Sequence, residues 1–247
     1  MTNIQRIVIE QLAIDYNVNP MAFEGNKPEF SLVDENKTGK RKNIRNSRFL
    51  YVLCLGYKLI FCGNSEIISW CREYYENYPA EWFMNFQNLN QLNSKINNFG
   101  YRVSPYSHHY YIPTGIKAEK TIKYKIKWLE HNMIKSMGHP QEFKNAFFKN
   151  IYASKQIGIA CYDKDEIISV ATATKVGRFL WELAVDTKEE YRKQGIASQL
   201  ISRLSNKLLS EGNVCFYGTA ESNIISQKVA YNAGFLPFWA EVYTEKI

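Results

Sequence analysis

The sequence has no long uninterrupted apolar run. Its longest apolar stretch, Phe49 to Leu55, is far shorter than the roughly 20 residues that a membrane-spanning helix requires. The first residues, MTNIQRIVIEQLAIDYN, also lack the apolar core of a secretory signal peptide. We therefore expect a cytoplasmic protein with no membrane partner.

Residues that form disulfides and metal sites are also scarce. The five cysteines form no CxxC pair and are scattered through apolar segments, which is typical of buried free thiols in a reducing compartment. The four histidines have no spacing that puts two imidazoles on one face of a helix or strand. We expect neither disulfide bonds nor a metal site.

Positive charge, by contrast, is in excess. The formal net charge of +7 favours an anionic partner, which can be a nucleotide-like cofactor, a nucleic acid or an acidic surface. The segment KTGKRKNIR, residues 37–45, concentrates this charge, and we expect it to form a solvated loop. Charge alone does not choose among the three partners.

The first half of the chain predicts a small α/β unit. Apolar spacing and turn residues indicate a helix near Ile4–Leu12, strands at Phe49–Leu55 and Lys58–Cys62, helices from Ser65 and over Asn88–Asn98, and a strand HHYYI that ends at Pro113. Turn residues from Pro113 to Gly115 predict a boundary between domains 1–115 and 116–247. The aromatic residues between Trp70 and Phe86 are interpreted as the core of this half, with an acceptor pocket as the alternative.

The second half predicts an antiparallel meander that continues into alternating strands and helices. The expected order is strand Thr121–Leu129, helical segment Gln141–Lys149, strands Gln156–Tyr162, Glu166–Thr174 and Phe179–Val185, helix Gly195–Leu209, strand Val214–Thr219, helix Ile224–Ala233 and strand Phe235–Thr244. Such an order implies an α/β fold with a mixed sheet that carries helices.

A basic loop before the long helix is the most informative local pattern. Arg192, Lys193 and Gln194 precede Gly195, where the helix starts. Backbone N–H groups and the helix dipole favour an anion at such a position. Glycine lets the backbone approach the ligand, and Ala197 keeps the helix start narrow. The pattern predicts a pyrophosphate site, with a plain basic loop as the alternative.

Two motifs carry a resemblance to a known family. Arg192, Gly195 and Ala197 match R/Q-x-x-G-x-G/A directly after an ELAV strand, and AESNIISQKVAYNAGF, residues 220–235, matches a second motif. On these motifs residues 117–247 resemble the GNAT superfamily of N-acetyltransferases, and the chain is similar to uncharacterised bacterial members with an N-terminal extension. The resemblance implies the GNAT acyl-CoA N-acyltransferase fold with an N-terminal α/β extension.

The resemblance also implies the cofactor, acetyl-CoA, with CoA as a product. In this family the cofactor lies between two splayed parallel strands, and its pantetheine arm pairs with the first of them. By position, the backbone of Leu183, Ala184 and Val185 supplies that edge. Asn223 and Ser226 bond the pantetheine amides, although capping of their helix is an equally simple role. By the same resemblance, the pyrophosphate is bound by Arg192, Lys193, Gln194, Gly195, Ile196, Ala197 and Ser198.

The implied reaction transfers the acetyl group to a primary amine of a small molecule by direct attack in a ternary complex. Glu182 is the candidate base, and an edge glutamate that points to solvent or to a nearby lysine is the alternative. Many members instead have a glutamate five positions before the asparagine, where this chain has Gly218. The family's tyrosine general acid falls on Ala230. We therefore assign the role to Tyr231, one place later, with Tyr217, Tyr243 or solvent as alternatives.

The end of the chain adds a further expectation. Only Leu236 to Ile247 follow the Gly234–Phe235 turn, so one strand position of the family fold is vacant. We predict that residues 101–112 complete the sheet or the substrate cleft. Two other functions stay open, a catalytically silent acyl-CoA sensor and an RNA-directed acetyltransferase, of which the nucleic-acid reading is favoured least. A monomer and a homodimer are equally compatible with the sequence.

Overall fold

The computed structural model describes residues 1–41, 49–104, 108–119, 121–138, 140–148 and 155–247. They form two compact units, which we call unit A (residues 1–7 and 111–237) and unit B (residues 8–110 and 238–247). The predicted boundary near Pro113 lies close to the crossing at residues 110 and 111. The other two crossings fall inside a helix, between residues 7 and 8, and inside a strand, directly after Pro237. The division into 1–115 and 116–247 stays a prediction.

Unit B is built on a sheet with the strand order β1, β3, β2 and β11, and β4 pairs with the end of β11. Strands β1 and β3 are parallel, whereas the other pairs are antiparallel. The elements that lie in unit B wholly or in part are α1 (Asn3–Asp15), β1 (Glu29–Leu32), β2 (Leu50–Leu55), β3 (Lys58–Gly63), α2 (Ser65–Tyr75), α3 (Phe86–Asn97), β4 (Tyr101–Val103), β5 (His108–Pro113) and β11 (Phe235–Lys246).

The aromatic residues of unit B form its core. Tyr75 and Phe83 are fully buried, and both contact Phe61 on β3. The interpretation of this stretch as core is therefore confirmed for these two residues. Trp82 and Phe86, which share the same stretch of sequence, are 62% and 85% exposed.

The basic segment 37–45 is the clearest correction. Lys40 and Arg41 are buried, so the prediction of a solvated loop is wrong for them. Arg41 forms ion pairs with Asp15 and Glu241, both of which are fully buried. A buried guanidinium requires such partners, because an uncompensated charge is costly away from water. Residues 42–45 of the segment lie outside the described residues.

Unit A contains the predicted mixed sheet. Strands β6 to β9 pair antiparallel in order, β10 adds parallel to β9, and β5 follows β10. Apart from the shared strands, the elements of unit A are β6 (Lys125–Glu130), α4 (His131–Ser136), β7 (Gln156–Asp163), β8 (Glu166–Lys175), β9 (Leu180–Thr187), α5 (Ile196–Ser210), β10 (Val214–Ala220) and α6 (Ile224–Asn232). From β7 onward they match the predicted order.

Two hydrophobic clusters pack against this sheet. One joins α5 to the sheet through Leu200, Leu204 and Trp181, and the other joins α4 and residues 143–147 to Val170. Tyr111 on β5 is 2% exposed in the first cluster. The prediction that residues 101–112 complete the C-terminal sheet is thus confirmed in part, for the end of β5.

The described part of the predicted helical segment 141–149, residues 141–148, does not form a helix. A 3-10 turn spans Gln141–Phe143, irregular turns follow, and Lys149 lies outside the described residues. The reason is a competing acceptor, since the amides of Asn145 and Ala146 donate to the Asp186 carboxylate and not to carbonyls one helical turn back. Neither strand β1 nor helix α4 was predicted from the sequence, and β6 begins at Lys125, later than the predicted Thr121.

No helix of the described ranges is long and apolar enough to span a membrane.

Candidate functional site

The site begins where two parallel strands part. Strands β9 and β10 pair from Leu180 and Val214 as far as Leu183 and Tyr217. Beyond this point β9 continues to pair with β8 on its other side, through Thr187. Within the described residues the opposite edge of β9, from Ala184 to Thr187, therefore has no strand partner. An extended amide chain can hydrogen-bond to such an edge.

The amino terminus of α5 lies at the end of the loop that follows β9, residues 188–195. Gly195 has φ of 76° and occupies the N-cap position, with no side-chain cap bond and no acidic residue in the first turn. The first N–H groups of a helix have no intrahelical acceptor, so those of Ile196, Ala197 and Ser198 are available to an anion. A Cβ at Gly195 would meet no atom closer than 3.8 Å, so the positive φ and not crowding favours glycine here.

The loop before α5 is held by its own side chains. Arg192 Nε donates to the Thr187 carbonyl oxygen at 3.1 Å, and Tyr124 Oη donates to Gln194 Oε1 at 3.1 Å. Lys193 has φ of 62°, a left-handed conformation that is uncommon for a residue with a side chain. Residues 192–195 are exposed. The geometry leaves an exposed basic loop against an uncapped helix start.

Helix α6 brings Asn223, Ser226 and Tyr217 together. Asn223 Oδ1 accepts the Ser226 amide at 3.1 Å, which is an N-cap bond. Ser226 Oγ lies 2.8 Å from Tyr217 Oη. Burial raises the pKa of the Tyr217 phenol above its ordinary value of 10.0. This hydroxyl therefore stays protonated throughout the physiological range.

Tyr231 lies elsewhere on α6. It is eight residues beyond Asn223, which is about 12 Å along a helix. Its side chain is 48% exposed, and its ring meets that of Tyr111 edge to face at 5.5 Å. Burial, and then proximity to Tyr231, raises the pKa of Tyr111. The structure therefore brings Tyr217 to Ser226 and pairs Tyr231 with Tyr111.

A cleft opens on the face of the sheet opposite α5. Glu182 and Ala184 of β9 point into it, because Trp181 and Leu183, at alternate positions, belong to the core under α5. The cleft has a cavity volume of about 120 Å³. Its lining is completed by Asn145, Ala146, Phe148, Thr172 and Thr174. Sequence reasoning missed these residues, although the alternation in SVATATK places both threonines on one face.

The described residues offer neither a metal-binding cluster nor a reactive thiol. In the part of the chain that the structure describes, no group of three or more His, Cys, Asp or Glu side chains is placed to hold a metal ion. The five cysteines are free thiols. Burial raises the pKa of Cys161 to about 11 and that of Cys215 to about 12, so neither is a ready nucleophile.

These features define a class of protein. A mixed α/β sheet with parallel strands that part beside an uncapped helix start is the GNAT fold, the architecture of an acyltransferase. The sequence model described as GNAT acetyltransferase matches residues 42–237. The chain belongs to the GNAT acetyltransferase family and is a transferase of acyl groups. No curated protein matches it significantly.

Solved structures include distant matches to this chain. A GCN5-related N-acetyltransferase-like protein from Streptococcus suis is 16% identical with a TM-score of 0.49, over 85% of this chain and 90% of that one. An acetyltransferase of the GNAT family from Novosphingobium aromaticivorans is 17% identical with a TM-score of 0.48, over 60% of this chain and 68% of that one.

Proposed function

We propose that the protein transfers an acetyl group from acetyl-CoA to a primary amine of a small molecule, by direct attack of the amine in a ternary complex. The observation that carries this proposal is the open edge of β9 from Ala184 to Thr187 beside the uncapped start of α5. One surface thus offers backbone partners to an amide chain and N–H donors to a pyrophosphate.

The chain has residues that fit acetyl-CoA along its length. The backbone of Leu183, Ala184 and Val185 is assigned to the pantetheine arm. Bound acetyl-CoA supplies the thioester, and a backbone N–H of this edge, for which Val185 is the candidate, donates to its carbonyl oxygen. Asn223 and Ser226 are assigned to the pantetheine amides. The pyrophosphate is assigned to Arg192, Lys193, Gln194, Gly195, Ile196, Ala197 and Ser198.

The Glu182 cleft is assigned to the amine acceptor. An alkylammonium has a pKa of about 10 and must lose a proton before it attacks. Glu182 is the charged side chain among the described residues of the cleft lining, so it both attracts a cationic amine and accepts its proton. Gly218 supplies no carboxylate at the position that many family members use, which leaves this role to β9.

For the general acid we favour Tyr217 over Tyr231. The Tyr217 phenol keeps its proton because burial raises its pKa, and it contacts Ser226 at the assigned pantetheine site. Tyr231 is exposed on the later part of α6 and contacts Tyr111. A protonated phenol at this place can return a proton to the departing thiolate.

The test combines binding and turnover in one preparation. Acetyl-CoA is titrated into the protein by calorimetry, and thiol release is followed across a panel of monoamines, diamines, amino acids and aminoglycosides. Micromolar binding with amine-dependent release supports the proposal. Absence of acetyl-CoA binding contradicts the cofactor assignment. Tight binding without release for any amine favours an acyl-CoA sensor.

An RNA-directed activity is less well supported. Two of the basic side chains in segment 37–45, Lys40 and Arg41, are buried and contribute no cationic surface. RNA affinity that falls steeply with salt, measured with a single-stranded oligonucleotide, would revive this alternative.

A further inference from the structure

One carboxylate of the sheet, that of Asp186, accepts three hydrogen bonds from the wall of the Glu182 cleft, residues 145–148. Asp186 Oδ2 accepts the amides of Asn145 and Ala146 at 2.7 and 2.9 Å, and Asp186 Oδ1 accepts Asn145 Nδ2 at 2.6 Å. Thr172 Oγ1 on β8 donates to the Ala146 carbonyl oxygen at 2.5 Å. Four hydrogen bonds thus hold two consecutive residues of the wall.

The rest of the wall is anchored on both sides of this contact. Phe143 and Phe147 are buried against the sheet with Val170. Lys188 Nζ lies 3.3 Å from a Glu142 carboxylate oxygen and 2.6 Å from one of Glu166. Phe148 is the outer member of the lining, with its side chain 73% exposed. Residues 145–147 are therefore held at a fixed height above the floor of the cleft, and Phe148 follows them directly in the chain.

Asp186 is well placed to set that height. It lies four residues beyond Glu182 on the same strand and the same face, because side chains alternate along β9. Hydrogen bonds to a carboxylate are shorter and stronger than those between neutral groups. Two of the three bonds, from the backbone amides of residues 145 and 146, replace the helical bonds that these amides would otherwise make, and the third comes from the Asn145 side chain.

We infer that Asp186 is a positioning residue for the amine acceptor, which holds Asn145, Ala146 and Phe148 at the distance from Glu182 that productive binding requires. This inference rests on the proposed function. Thr172 acts with it from β8. Loss of the Asp186 carboxylate loosens Asn145 and Ala146, so the amine is held less well, whereas the backbone edge of β9 that is assigned to acetyl-CoA is retained.

The test is Asp186→Asn, with Ser169→Ala as the matched control. The asparagine keeps the size of the side chain but replaces one acceptor oxygen with an NH₂ donor. Ser169 Oγ donates to the Asp186 carbonyl oxygen at 2.8 Å and lies 2.8 Å from Thr187 Oγ1, and by alternation along β8 its side chain is on the opposite face from Thr172. The measured quantities are the KM for the best amine of the panel, the Kd for acetyl-CoA and amide hydrogen exchange at residues 145 and 146.

We expect Asp186→Asn to raise the amine KM about tenfold or more, because a small misplacement of a binding group is costly in rate. The acetyl-CoA Kd stays within about twofold, and both amides lose protection. Ser169→Ala leaves all three quantities within about twofold of wild type. Asn145→Ala removes only the side-chain bond and raises KM by about threefold. Asn145→Ala therefore tests the inference if Asp186→Asn does not fold.

Two results overturn the inference. One is an amine KM unchanged in Asp186→Asn, or in Asn145→Ala where the first variant does not fold. The other is an acetyl-CoA Kd that rises in step with KM, since Asp186 would then act on the cofactor edge. Failure of the proposed function is distinguishable, because the wild type itself would then release no thiol with any amine, and the acceptor role would fall with it.

Discussion

Gly195 combines a left-handed backbone with a place at the start of α5. Gly195→Asp puts a carboxylate where the pyrophosphate is assigned, and we expect acetyl-CoA binding to weaken by about 100-fold or more, about 2.8 kcal/mol. Calorimetry measures the change. Gly212→Asp is the control, because Gly212 also has a positive φ, of 74°, but lies after the other end of the helix. Equal loss in both variants would indicate strain and not a phosphate site.

Glu182 makes a prediction about turnover and pH. Glu182→Gln keeps the shape of the side chain but cannot accept the ammonium proton, so kcat should fall by about 100-fold while the acetyl-CoA Kd changes less than twofold. The remaining rate should rise with pH toward the pKa of the free amine, about 10, as bulk solvent takes over deprotonation. Steady-state kinetics from pH 6 to 10 measure both effects. Unchanged turnover at neutral pH removes Glu182 from the mechanism.

Tyr217 and Tyr231 are compared by removing one hydroxyl at a time. Since burial raises the pKa of Tyr217, its proton is retained at neutral pH, and we expect Tyr217→Phe to lower kcat about tenfold. We expect Tyr231→Phe to stay within about twofold, because its side chain is exposed. Rates with a good and a poor thiol leaving group measure the acid role. The opposite ranking would restore Tyr231 as the acid.

At the scale of single elements, the amino terminus of α6 has two assigned roles, which are helix capping and binding of the pantetheine amides. Asn223→Ala removes the cap bond to the Ser226 amide, and we expect it to cost about 1 kcal/mol of stability as well as acetyl-CoA affinity. Ser226→Ala leaves the cap bond intact but removes the partner of the Tyr217 hydroxyl, so we expect it to weaken the affinity and to cost about 1 kcal/mol of stability through that second bond. Thermal unfolding and calorimetry separate the two effects. Full affinity in both variants would leave capping as the entire role of this helix start.

The segment 141–148 shows what an element-level prediction cannot include. Its apolar spacing is compatible with a helix, and Phe143 and Phe147 are indeed buried one helical turn apart. The amides of Asn145 and Ala146 between them, however, donate to a carboxylate 41 and 40 residues away in the sequence. A periodic pattern reports which face is buried, whereas it contains no information about a distant acceptor.

At the scale of the molecule, unit B has a charged centre with a pH signature. Burial alone would raise the pKa of Glu241, but Arg41 and a hydrogen bond from Tyr243 outweigh it and lower the pKa below its ordinary value of 4.5. The stability contributed by Glu241 is therefore complete above about pH 4.5 and is lost as the pH falls through the lowered folded-state pKa. Burial raises the pKa of Asp15, so the ionisation of this carboxyl lowers the stability as the pH rises, which is opposite to the effect of Glu241.

This pH signature is tested by comparing variants. Glu241→Gln leaves Arg41 short of a partner, and we expect a loss of about 3–5 kcal/mol at pH 7. The difference from wild type should shrink below pH 4.5. Glu245→Gln on the same strand removes an exposed pair with Arg102 and should cost about 0–1 kcal/mol. Urea unfolding from pH 3 to 7 measures both. A difference between Glu241→Gln and wild type that does not depend on pH would contradict the assignment.

The sequence by itself determined most of unit A. The elements from β7 to β11 agree with the predicted ones to within two residues, because alternation, helical spacing and glycine at left-handed positions are local properties. The cofactor loop could be recognised for the same reason, since Arg192, Gly195 and Ala197 are adjacent in the chain. The family follows from these local motifs.

Tertiary structure alone decided which distant residues meet. Arg41 was expected in solvent, yet its buried partners Asp15 and Glu241 lie 26 and 200 residues away. The wall of the cleft likewise depends on Asp186, and the last strand is divided between two units after Pro237. Burial of a charge depends on partners that only the folded chain brings together, and neither periodicity nor composition specifies them.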